Sequence, residues 1–156
     1  MKILLIFLIV SILASGCATG KIIIPEIQND YEVEAGFEIV WQAVVESLTD
    51  NSMSIEVIEK ESGIITTGFI KFFNNYNERA ELDRLAEKPD YNFLAKWTEG
   101  KLKYNIFVKS ISDTTTRMKI TSQMEAFEGG ISHEWVVVYS RGIIEDDLFD
   151  LIKAKI

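Results

Sequence analysis

The sequence predicts an α+β domain, an antiparallel sheet of about five strands with two long helices laid on one face. Two patterns carry this expectation. Apolar residues recur at helical steps over 36–49 and 140–155, and they alternate with polar residues over 101–109 and 117–124. Length bounds it: 156 residues, 47% of them hydrophobic, suit one domain that buries a core without disulfide or metal.

The first helix places Phe37, Val40, Trp41, Val44, Val45 and Leu48 on one face and Glu38, Gln42, Glu46 and Ser47 on the other. At that spacing Trp41 reads as core rather than as a ligand platform. Asp50, Asn51 and Ser52 stop the helix, because their short polar side chains compete for backbone hydrogen bonds. A hairpin follows, with Met53 to Ile58 leading into a turn at Lys60–Gly63 and Ile64 to about Phe72 returning. Gly63 suits a turn that demands positive φ, and Gly68 marks a bulge or a close approach within the returning strand.

From Phe73 to Gly100 the pattern loosens. Asn74, Asn75 and Asn77 mark an irregular stretch, 78–87 forms a short charged helix with Leu82 and Leu85 inward, and Pro89 closes it. An insertion this long, carrying Tyr91, Phe93, Leu94 and Trp97, has two readings. Either it is a contact loop, with Phe69, Phe72, Phe73, Tyr76 and Trp97 as a partner-binding patch, or its aromatics cap the open edge of the core.

Two alternating strands come next. Lys101, Lys103, Lys109 and Arg117 fall on their polar side, which reads as a solvated face in preference to an anion site. The last helix carries Ile144, Leu148, Leu151 and Ile152 on one face, acids in its first turns, and Lys153 and Lys155 in its last, matching the helix dipole. Glu145, Asp146 and Asp147 are consecutive, so they point in different directions and do not converge on a metal.

No catalytic signature emerges. His133 is the only histidine, and its neighbours Ser132 and Glu134 point away from it if the segment is extended. No phosphate loop, HExxH pair or GxSxG elbow is present, and no cofactor is implied. The excess of 24 acidic over 16 basic residues excludes a nucleic-acid partner and disfavours a broad electrostatic grip on anionic lipid.

The amino terminus carries the sharpest pattern. Lys2 precedes an apolar run from Ile3 to Leu13 that is too short to span a bilayer, and Ala14, Ser15 and Gly16 lead into Cys17, the only cysteine. This order resembles the lipobox of bacterial lipoproteins, although Ala14 stands where a leucine is usual. The resemblance implies cleavage after Gly16 and acylation of Cys17. Residues 1–16 are then a signal peptide, 17–35 a lipidated tether with an edge strand at Ile22–Ile24 limited by Pro25, and 36–156 the single domain. Two or three acyl chains hold such a protein durably. Ala18, where an Asp would retain it at the inner membrane, implies the outer membrane, periplasmic side.

A second resemblance rests on Val40 and Trp41, on Ile55 and Val57, and on Gly63, Ile64, Ile65, Thr66 and Thr67. Residues 37–69 are similar to the helix-grip domains of NlpB/BamC-type outer-membrane lipoproteins. That family consists of non-catalytic accessory subunits of barrel assembly. The chain has room for one such domain where the family has two, and it lacks the family's long irregular amino-terminal segment. The resemblance implies a lipid-anchored accessory or scaffold module with an envelope protein partner and no enzymatic activity. The alternative is a carrier of a small apolar ligand or lipid held between sheet and helices.

Overall fold

A computed structural model describes residues 24–75, 78–89 and 94–156. In chain order these form β1 (Asp30–Val33), α1 (Phe37–Asp50), β2 (Ile55–Glu59), β3 (Ile64–Thr67), β4 (Ile70–Phe73), α2 (Arg79–Leu85), β5 (Ala86–Glu87), β6 (Trp97–Ser112), β7 (Thr115–Glu128), β8 (Glu134–Ser140) and α3 (Ile143–Lys153). The expected sheet of about five strands with two long helices is therefore corrected. The described residues make a mostly antiparallel sheet of eight strands with three short helices.

Each added strand has a physical reason for having escaped the sequence pattern. β1 reads DYEV, half charged, and alternates with Tyr31 and Val33 inward over only four residues. β8 carries Trp135 to Val138 as an unbroken apolar run, which shows no period of two. The single returning strand expected from Ile64 to Phe72 is two strands, broken at Gly68, whose N–H donates to the Ser54 carbonyl at 2.8 Å. The last helix starts at Ile143 rather than Ser140 because β8 claims Ser140 and Gly142 turns the chain at φ 92°. The edge strand expected at Ile22–Ile24 falls mostly outside the described residues, and Ile24 precedes the first strand.

The spine of the sheet is the hairpin of β6 and β7, paired from Trp97↔Glu128 down to Ser112↔Thr115. Short strands lie end to end along both of its sides. β4 and β3 follow one another along β6, with Ile70 opposite Leu102 and Ile64 opposite Phe107. β1 and β8 do the same along β7, with Tyr31 opposite Met118 and Met124 opposite Val138. β2 extends the sheet beyond β3, and β5 extends it beyond β8.

Helices α1 and α3 pack on one face of this sheet and on each other. Val40, Val44 and Leu48 of α1, with Ile144, Leu148 and Ile152 of α3, meet Ile65, Ile106, Met118, Ile120 and Met124 of the sheet, all of them buried. Burial of each such side chain contributes roughly 1.5–3 kcal/mol, which makes this layer the main source of stability. Polar groups inside it are paired: the buried Ser47 hydroxyl donates to the Leu151 carbonyl at 3.2 Å and joins the two helices. Tyr31 stacks on Phe149 with centroids 4.1 Å apart and donates to Asp146 at 2.8 Å, which fastens β1 to α3.

Candidate functional site

The helices cover one face of the sheet and leave the other open. Along β6 and β7 the even-numbered residues from Leu102 to Val108 and from Thr116 to Ala126 face the helices, so the odd-numbered ones face away. On that open face Lys71 stands opposite Lys101, an unfavourable neighbour on charge alone. Each is neutralised by a carboxylate on a neighbouring strand. Lys71 pairs with Glu99 and Lys101 with Glu125, both at 2.9 Å.

Aromatic rings then close over the Lys101 ammonium. Its Nζ lies 4.5 Å from the Phe69 centroid and 4.1 Å from that of Trp135, and Lys103 lies 5.2 Å from Phe69. Trp135 in turn packs against Phe127 with centroids 5.5 Å apart. Exposed cation–π contacts of this kind contribute about 0.5–1 kcal/mol each, so they order the patch without hiding it. Phe69 remains 43% exposed, Trp135 39% and Val137 51%. Beyond a polar row of Thr66, Asn105 and Thr121, Ile64 and Phe107 form a second exposed apolar area around a hollow of about 410 Å³ that also touches Lys119. Exposed apolar side chains interleaved with cations on an open sheet face are the mark of a binding surface.

The patch expected from the sequence divides differently. Phe69 is on the open face, whereas Phe73 is 1% exposed, Trp97 5%, and Phe72 half-buried. Phe73 and Phe72 both press on Gly100, where an added Cβ would stand 2.2 Å from the Phe73 ring and 2.5 Å from that of Phe72. Phe73 and Trp97 are core residues, in keeping with the capping alternative. The reason is a pair of register shifts, between Lys71 and Phe73 and between Trp97 and Glu99, that turn both side chains inward. Tyr76 and Cys17 lie outside the described residues. Sequence reasoning missed Trp135 and Val137, although the lysine stripe at 101 and 103 pointed to the same face.

The buried carboxylates serve the fold. Burial acts to raise the pKa of Glu128, but hydrogen bonds from the backbone N–H groups of Lys96, Ser132, Ile131 and Gly130 outweigh it and hold the group at about 2. Those donors lie at 2.7–2.8 Å, and the ionised side chain clamps the turn between β7 and β8. Glu145 accepts from the hydroxyls of Ser122 and Ser140, each at 2.5 Å, while Asp146 accepts from Tyr31. The consecutive acids thus point to separate partners. Among the described residues no cluster of His, Cys, Asp and Glu is arranged to hold a metal. His133 is exposed in the turn before β8 at φ 54°, and the Ser132 hydroxyl beside it donates to Glu128.

No protein-family model matches the chain, and no curated protein matches it. Among the described residues no helix is long and apolar enough to cross a membrane.

Proposed function

We propose that the chain is a lipid-anchored, non-catalytic binding module of the bacterial envelope, held at the outer membrane by acylated Cys17 and working through the open face of its sheet. The observation that carries this reading is the exposed assembly of Phe69, Lys101, Trp135 and Val137 on the face that the helices leave bare. Among the described residues the buried side chains of sheet and helices form one hydrophobic cluster, which supports such a module over a carrier, whose ligand needs an apolar cavity there. Its more specific form, an accessory of outer-membrane protein assembly, draws on residues 37–69, which build α1, β2 and β3.

Mass spectrometry of the mature protein from bacterial membranes tests the anchor. The expected product begins at Cys17 and carries the added mass of acyl chains, and Cys17→Ser moves the protein to the soluble fraction. An unmodified terminus, or a Cys17→Ser protein that stays with the membrane, overturns the proposal.

A further inference from the structure

We infer that the open face of the sheet lies against the phosphate-bearing surface of the membrane, with Trp135 at the level of the lipid headgroups; the inference rests on the lipid-anchor reading. The first observation is where the described chain begins. Ile24 and Pro25 line a hollow of about 290 Å³ at the edge of the domain, between Thr121, Val137 and Tyr139 of the open face and Ser122, Val138 and Glu145 of the helix side. Seven residue steps separate Cys17 from Ile24, and at no more than roughly 3.5 Å per residue they reach about 25 Å. An acylated Cys17 therefore holds this edge of the domain within about 25 Å of the bilayer, close enough for the open face to reach it.

The second observation is the chemistry of that side. Tryptophan and lysine together suit a membrane boundary, where the ring sits among headgroups and the ammonium meets phosphate. Lys103, Lys109 and Lys119 have no ion-pair partner among the described residues, while the nearby acids Glu99 and Glu125 are matched by Lys71 and Lys101. Arg117 is matched by Asp30 and Glu32 at 3.5 and 2.8 Å. Glu59 of β2, an acid without an ion-pair partner among the described residues, stands at the margin of this side.

The opposite side is acidic. Glu46 on α1 and Asp147 and Asp150 on α3 are all exposed. Net charge of −8 keeps a free molecule off an anionic bilayer. A tethered molecule is different, because within a Debye length of about 8 Å the local charges decide which way it turns. The lysines then face the lipid and the acidic helices face away.

The tryptophans supply the test. Trp41 and Trp97 are buried, so a quencher carried on lipid headgroups reports Trp135. The acylated mature protein is reconstituted into phosphatidylcholine vesicles with and without phosphatidylglycerol, some of the lipid bearing a headgroup spin label. Quenching is expected, stronger with phosphatidylglycerol and weakened by salt, and Trp135→Phe removes the quenched emission without changing the melting temperature. Lys103→Gln and Lys119→Gln each lower the ratio of face-down to face-up molecules roughly fivefold.

Protein that stays on the vesicles while Trp135 remains open to acrylamide and untouched by the lipid label overturns the inference and leaves the anchor intact. Shielding of Trp135 from both quenchers, with a dimer on the vesicle, assigns the face to a second copy and overturns it too. Acylated protein that washes off the vesicles sinks the anchor reading itself, and the inference with it.

Discussion

Lys101 sets its ammonium group 4.1 Å from the centre of the Trp135 ring and so joins β6 to β8 across the intervening β7. The same group pairs with Glu125 of β7, which means one side chain links three neighbouring strands on the open face. Polar and aromatic contacts hold that surface in order while the core lies behind it. The two sides should answer mutation differently.

Truncations separate them. Phe73→Ala and Trp97→Ala remove buried rings and should each cost about 3–5 kcal/mol in urea unfolding. Phe69→Ala, on the exposed side, should cost no more than about 1 kcal/mol. Equal losses at all three positions would contradict the burial described here.

Gly100 is kept small by its neighbours. A Cβ at that position meets the Phe73 ring at 2.2 Å, so Gly100→Ala should destabilise by about 1–3 kcal/mol. Combining it with Phe73→Leu should cost less than the sum of the two single changes, because the smaller side chain makes room for the methyl. Chemical denaturation of the four proteins reads the coupling.

Acid should unfold the protein partly through Glu128. Its folded pKa of about 2 lies below an unfolded value of roughly 4.3, so the unfolded chain takes up the proton first. Stability from this group is complete above the unfolded value and is lost as pH falls toward the folded one. Melting curves of wild type and Glu128→Gln should therefore converge as pH drops from roughly 5 to 2. A constant gap across that range would show that the clamp does not depend on ionisation.

Alkali acts on the tyrosines in the other direction. Burial, then the hydrogen bond to Asp146 and the nearby acids, raise the Tyr31 pKa above its ordinary value of 10.0. Burial, Glu145 and Asp147 do the same for Tyr104. Both groups favour the folded state below the unfolded pKa, and that contribution drains away as pH rises past it. Tyr31→Phe and Tyr104→Phe should flatten the alkaline limb of the stability curve, read as melting temperature above pH 10.

Periodicity gave α1 almost to the residue and gave the middle of β6 and β7, because long amphipathic stretches carry their own record of which side is buried. It also placed Leu82 and Leu85 of α2 inward. It could not give the inward turn of Phe73 and Trp97, since one residue of bulge reverses the side on which every later residue falls. Nor could it give β1 and β8, which are specified by pairing with β7 rather than by an alternation strong enough to stand alone. The open face was half legible. Lys101 and Lys103 are visible as a stripe, but Trp135 reaches Lys101 only because β8 joins the same sheet.

The small size of β1 matters once the chain is loaded. Among the described residues, force applied from the amino-terminal side is met by β1, clipped to β7, and by the Ile120–Asn29 hydrogen bond beside it before it reaches the long hairpin. Tyr31, stacked on Phe149 and bonded to Asp146, shares that load with α3. Under tension the chain should therefore yield at this clip while the β6–β7 spine keeps its shape.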